Sequence, residues 1–241
     1  MEWYKEWFDS TYYHTLYNKR NSSEAEYLID NLLKEFKPNK NAFFLDLCCG
    51  SGRHSIYLNK KGFFVDGFDL SKKSLATAKE YQKKNLNFYL KDMRSFNIKN
   101  KYDFALNLFT SFGYFEAEED NKKVFQNVNN SIKKGGYFII DFFNAEKVIK
   151  ELKKKEVQKI NDVTFEIQKK YDTNFVYKEI SITDQRNKYN FIEKVRLLDT
   201  EKFIDYAKHT NMKLLTTFGD YHLNKYNSKI SPRLLLIFQK N

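Results

Sequence analysis

The sequence predicts an α/β protein built on a doubly wound parallel sheet, and three observations carry that prediction. Strand-like apolar runs alternate with helical ones between residues 43 and 143. The first of these runs, Phe43-Phe44-Leu45-Asp46-Leu47-Cys48-Cys49, breaks into Gly50-Ser51-Gly52, and the next ends on Asp69, seventeen positions after Gly52. Three β-like runs without helices between them then interrupt the alternation, at 163–171, 175–183 and 189–197.

Each element has its own signal. Over 24–36, apolar residues recur at Leu28, Ile29, Leu32, Leu33 and Phe36, a helical period, with Ser22 or Ser23 available as a cap and Pro38 beyond the end. Strands are predicted at 43–47, 63–68, 87–90, 102–108 and 137–143. Helices are predicted between them at 53–60, 72–84 and 118–133, the last ended by Gly135-Gly136. Asp172-Thr173-Asn174 and Asp184-Gln185-Arg186-Asn187 are turn sequences. Connections this short join antiparallel neighbours, so residues 160–198 read as an inserted antiparallel β cap. A helix at 201–210 behind Thr200 and strands at 213–218 and 234–238 close the chain. Residues 1–37 form an N-terminal helical segment, and the whole reads as one domain of 241 residues.

Composition narrows the class. Hydrophobic residues make up 41% and aromatics 17%, enough for a large core. The net charge of +11 suggests nucleic acid, but it comes from 36 Lys and only 6 Arg, scattered along the chain. Base and phosphate readout favours the arginine fork, so the composition argues against a nucleic-acid partner. No apolar stretch is long enough to span a bilayer, and the first residues lack a basic-then-apolar signal pattern. The two cysteines are adjacent and read as reduced thiols of a cytoplasmic protein. No His/Cys cluster has metal-ligand spacing.

The strand ends carry the chemistry. In such a sheet, ligands bind beyond the carboxyl ends of the strands. Gly50 and Gly52, Asp69, Asp92 and Asn107-Leu108-Phe109 fall at four successive ends. Glycines let the backbone approach a ligand, and an acid at the distance of Asp69 can grip a ribose diol. A dinucleotide fits less well: the third glycine of that turn is replaced by Ser55, and Asp46 would oppose a pyrophosphate. An acid there suits an ammonium group.

Taken together, Leu45 to His54, Phe68-Asp69-Leu70-Ser71, Lys91-Asp92-Met93-Arg94, the run 102–109 and the turn at Gly135-Gly136 resemble the motifs of class I S-adenosylmethionine-dependent methyltransferases of the small-molecule type. The resemblance implies a seven-stranded Rossmann-like sheet whose last strand is antiparallel, and S-adenosyl-L-methionine as cofactor. It implies that Asp46 orients the methionine end and that Cys48, Gly50, Ser51 and Gly52 form the close-approach turn. Asp69 would accept both ribose hydroxyls, and Asp92 the adenine amino group, with Leu70 and Met93 against the ring. Leu108 and Phe109 would lie near the methyl. In similar enzymes an N-terminal lid holds the methionine carboxylate with a Tyr and an Arg, which here points to Tyr13 and Arg20.

Methyl transfer is an in-line displacement in which alignment does most of the work, and a hydroxyl or ammonium acceptor needs a base. Topology places Tyr114, Asp220, Tyr221, His222 and Arg233 on the cofactor edge as substrate-side candidates. No Asn/Asp-Pro-Pro-aromatic tetrapeptide follows the fourth strand, which argues against base amines and glutamine amides. The implied reaction is methylation of an amine or hydroxyl of a small molecule by a monomer or homodimer. An RNA or protein methyltransferase is the alternative that the charge favours.

Overall fold

A computed structural model describes residues 2–17 and 22–241. Three helices open the chain: α1 (Trp3–Asp9), α2 (Thr11–Leu16) and α3 (Ser22–Phe36). The alternating part follows as β1 (Phe43–Leu47), α4 (Arg53–Lys60), β2 (Phe64–Asp69), α5 (Lys72–Lys79), β3 (Leu86–Leu90), β4 (Tyr102–Asn107), α6 (Glu118–Ser131) and β5 (Ile132–Phe143). Then come α7 (Ala145–Lys150), β6 (Lys155–Ile160), β7 (Val163–Tyr171), β8 (Phe175–Asp184) and β9 (Asn187–Arg196). The chain closes with α8 (Thr200–Ala207), β10 (Met212–Phe218) and β11 (Arg233–Lys240).

The main sheet has seven strands in the order β10-β11-β5-β4-β1-β2-β3, and β11 runs antiparallel to both neighbours. This is the doubly wound, Rossmann-like sheet expected, with its final strand reversed. Strand order turns back between β1 and β4, so a crevice opens beyond their carboxyl ends. Alternation along β1 feeds two layers: Phe44 packs with Leu32, Leu58 and Phe104 on one face, and Leu45 and Leu47 pack with Phe68 and Phe138 on the other.

The inserted sheet differs from expectation by one strand. It has four, β6-β7-β8-β9, all antiparallel, and starts at Lys155 rather than at 160. The sequence Lys155-Glu156-Val157-Gln158-Lys159-Ile160 hides an edge strand because an edge carries charge and has no buried face to betray its period. Helix α6 also stops earlier, at Ser131, because Ile132 pairs with Tyr102 of β4. The Gly135-Gly136 turn then lies inside β5, where a Cβ on Gly136 would stand 2.9 Å from the carbonyls of Asp103 and Lys133. Helices α1 and α2 have no apolar stretch long enough for a periodic signal, and tertiary contacts hold them: Trp7 is fully buried and its ring lies 4.8 Å from Phe191 of β9.

Candidate active site

One cavity of about 520 Å³ lies over the carboxyl ends of β1, β2 and β4, walled on the far side by α1, α2 and β9. Its floor is the turn after β1. Cys48, Gly50 and Gly52 all have left-handed backbones, with φ of 59°, 55° and 83°. A Cβ on Gly50 would meet nothing within 4 Å, so the chain there presents bare backbone to open space. Ser51 and Cys48 line the cavity beside it, and the Cys48 thiol lies 3.7 Å from the Met93 sulfur. Burial pushes both cysteine thiols well up, which disfavours the reactive thiolate.

Asp69 closes the turn from the side. Its Oδ2 accepts the Gly50 N–H at 2.7 Å and its Oδ1 accepts the Ser71 N–H at 2.8 Å. A carboxylate offers about four acceptor positions, so these bonds leave room for a vicinal diol. Leu70, Asp92 and Met93 continue the wall. Asp92 is gripped by Arg94, with Nη2 2.6 Å from Oδ2 and Nε 3.1 Å from both oxygens. Arg94 in turn pairs with Glu2 at 2.6 Å and Asp120 at 3.1 Å, tying the chain's start to this end of the cavity. Asp9 makes a second tie: its Oδ1 accepts from Ser71 Oγ at 2.8 Å and Lys73 N–H at 2.9 Å, bolting α1 to the N-terminus of α5.

Beyond β4, Leu108, Phe109 and Thr110 enter the cavity. Phe109 and Thr110 have φ of 56° and 60°, unusual for two consecutive non-glycine residues, one of them β-branched. Asp141 of β5 holds them there. Its carboxylate accepts the Phe109 N–H at 2.8 Å, the Tyr221 hydroxyl at 2.9 Å and Arg233 Nε at 2.8 Å, and its carbonyl accepts the Thr110 N–H at 2.9 Å. Arg53 stacks on the Phe109 ring at 4.0 Å, and His54 lies 5.2 Å from it. Burial and the Arg53 charge lower His54 to about 3, so its imidazole is neutral.

Several expected site residues stand elsewhere. Asp46 is buried under the turn and off the cavity wall, because it accepts the Ser55 hydroxyl at 2.6 Å and braces α4 instead. Gly52 is also off the wall; a Cβ there would stand 2.8 Å from the Phe88 ring, so strand packing sets the need for glycine. Of the substrate-side candidates, Tyr114 lines the cavity. Asp220, Tyr221, His222 and Arg233 do not. Asp220 accepts the N–H groups of His222 and Asn224 and so shapes its own loop. The His222 ring faces Tyr27 of α3, whose hydroxyl is 2.5 Å from Nδ1. Tyr221 and Arg233 stand behind the wall on Asp141, with Arg233 Nη2 donating to Thr110 Oγ1 at 2.9 Å. Tyr13 is on the wall, while Arg20 lies outside the described residues.

Sequence reasoning missed the wall that Trp3, Tyr4 and Phe8 of α1 form with Tyr17, Phe115, Glu193 and Val195. It also missed Asp141. The available signals were an acid inside an apolar strand, Phe138-Ile139-Ile140-Asp141-Phe142, and an acid on an apolar face, Phe191-x-Glu193-x-Val195.

Asp46 sets a pH dependence. Burial pushes its carboxyl from 3.8 up to about 7, against the opposing Ser55 hydrogen bonds. The folded chain therefore holds this proton more tightly than the unfolded chain. Its stability contribution is present in full below the unfolded value and is lost as pH rises toward 7. Asp46→Asn keeps an acceptor for Ser55 and removes the titration. Denaturant unfolding should show the variant gaining up to about 4 kcal/mol on the wild type between pH 4 and pH 8. A difference that does not change with pH would show that Asp46 remains ionised throughout.

Residues 38–196 match the family model of a methyltransferase domain, and the chain belongs to that family. It is 31% identical over 113 residues to the ubiquinone biosynthesis O-methyltransferase of Pelagibacter ubique, covering 43% of this chain and 47% of that protein. It is 30% identical over 140 residues to the glycine/sarcosine N-methyltransferase of Aphanothece halophytica, covering 56% and 51%. The chain spans about half the length of these curated relatives. Among solved structures, its fold is similar to that of an S-adenosylmethionine-dependent methyltransferase from Clostridium acetobutylicum. That likeness has a TM-score of 0.80 at 22% identity and covers 95% of this chain and 96% of the other.

Proposed function

We propose that this protein is an S-adenosylmethionine-dependent methyltransferase that methylates an amine or hydroxyl of a small molecule. The observation that carries the reading is the continuity of the cavity. One chamber is lined both by the bare backbone at Gly50 with the half-committed carboxylate of Asp69 and by the aromatic residues Trp3, Phe8 and Tyr114. A cofactor and a second molecule can then meet inside it.

In this reading Asp69 takes the ribose hydroxyls and Asp92 the adenine amino group, with Leu70 and Met93 against the ring. Cys48, Gly50 and Ser51 cradle the methionine part, and Tyr13 and Arg20 hold its carboxylate. Asp46 and Gly52 shape this cradle from beneath. S-adenosylmethionine supplies a methyl group activated by a sulfonium. The chain's part is alignment, worth up to about 7–11 kcal/mol in favourable cases. Leu108 and Phe109 bound the space at the methyl, and Tyr114 stands on the acceptor's side. Two free thiols in the cofactor turn, Cys49 buried and Cys48 half-buried, suit the reducing cytoplasm, where the protein would act as a monomer or homodimer. Among the described residues, no helix is long and apolar enough to cross a membrane, and no group of three or more His, Cys, Asp or Glu could hold a metal ion.

Calorimetry tests the cofactor assignment. S-adenosylmethionine and S-adenosylhomocysteine should bind at micromolar levels and NAD should not; failure of both sulfur nucleosides would overturn the reading. The net charge of +11 keeps an RNA or protein acceptor as the second reading. Methyl incorporation into bulk RNA or protein, but not into a metabolite panel, would favour it.

A further inference from the structure

We propose that Glu193 receives the amino group of the methyl acceptor as an ammonium and takes the proton that must leave the nitrogen before transfer, so that the substrate class is a small amine bound as a cation rather than a neutral alcohol. The inference rests on reading the cavity as the methyl-transfer site.

Along β9 every second residue shares a face, and Phe191 and Val195 flank Glu193 on the side that packs toward α1. The Phe191 ring lies 4.8 Å from that of Trp7, tilted by 38°, and Val195 packs on the main core. An acid between them is unfavourable unless its charge has partners. One oxygen has them: Glu193 Oε1 accepts Trp7 Nε1 and the Tyr17 hydroxyl, each at 2.7 Å. The other, Oε2, forms a long ion pair with Lys178 Nζ at 3.8 Å, and that ammonium donates its hydrogen bond to the Tyr17 hydroxyl. Glu193 lines the cavity, and among the described residues Oε2 accepts no direct hydrogen bond, which leaves it able to take one from a ligand.

The surroundings suit a cation. Trp3, Phe8, Tyr17 and Tyr114 are among the aromatic residues of the cavity wall, with Phe8 5.4 Å from Tyr114 and Trp3 5.3 Å from Tyr114. Aromatic faces together with a carboxylate recognise an ammonium group through cation–π attraction and a charge-assisted hydrogen bond. A neutral hydroxyl of the same shape gains neither the charge nor the cation–π term. The remaining acids of the wall, Asp69 and Asp92, are engaged by Gly50, Ser71 and Arg94.

The competing explanation is that Glu193 only fastens α1 and α2 to β9. Glu193→Gln separates the two, since its amide oxygen still accepts from Trp7 and Tyr17 while the charge is gone. The full chain, saturated with S-adenosylhomocysteine at constant ionic strength and pH 7, is titrated with cyclohexylammonium or with cyclohexanol while tryptophan fluorescence is read. The wild type should bind cyclohexylammonium saturably and at least tenfold more tightly than cyclohexanol. Glu193→Gln should lose at least tenfold for the amine and change little for the alcohol. The control Glu166→Gln, on the exposed face of β7, should match the wild type. Equal binding of amine and alcohol, no saturable binding of the amine, or an unchanged Glu193→Gln would each overturn the proposal. Failure of the wild type to bind S-adenosylhomocysteine would instead sink the methyltransferase reading beneath it.

Discussion

Replacing Asp69 by alanine raises the dissociation constant for S-adenosylhomocysteine by at least a hundredfold in calorimetry, with the fold retained. The expectation follows from the two tasks of this carboxylate. It anchors the Gly50 and Ser71 N–H groups, which fixes the turn, and it lines the cavity, where in the proposed reading a ribose diol takes its remaining acceptor positions. Hydrogen bonds to a charged group contribute about 1.5–3 kcal/mol each, so losing two amounts to roughly 10²–10⁴ in affinity. Burial raises the Asp69 carboxyl, so cofactor affinity should also weaken as pH falls and the carboxylate takes a proton. Asp69→Asn keeps one acceptor oxygen and should fall between wild type and alanine. If Asp69→Ala binds within threefold of wild type, the ribose assignment fails.

The second large effect is on stability. Asp141 is fully buried at the end of β5 and joins three groups that arrive from different parts of the chain: the Phe109 backbone, Tyr221 and Arg233. Asp141→Asn leaves the Arg233 guanidinium without its counter-charge and frees a strained pair of residues. Breaking a buried ion pair from one side costs about 3–5 kcal/mol. For a chain of this size that lowers the melting temperature by about 10 °C. Adding Arg233→Met removes the stranded charge and should recover part of the loss. A melting temperature within about 2 °C of wild type in Asp141→Asn would show that the network contributes little.

The parts of the site that were legible in the sequence are those whose chemistry is local. Gly50, Asp69 and Asp92 sit where a strand ends, and strand ends in a doubly wound sheet share one edge whatever the loops do. The same reasoning failed where a residue's direction mattered. Asp46 belongs to the motif, but Ser55 on the first turn of α4 turns its carboxylate inward. Asp220 and His222 follow a strand on the correct edge, but their loop bonds to itself and to α3. Spacing gives the edge a residue reaches and not the partner its side chain chooses.

The sequence alone determined the doubly wound sheet, the glycine turn and the two acids that follow it, because hydrophobic period and turn chemistry act over a few residues. Only the tertiary structure decided what stands opposite that turn. Trp3, Phe8, Tyr17 and Glu193 are separated by up to 190 residues in the chain, and they meet because α1 and α2 pack on β9 through Trp7 and Phe191. Contacts at that distance depend on how apolar faces find one another in the folded chain, and no local pattern encodes them.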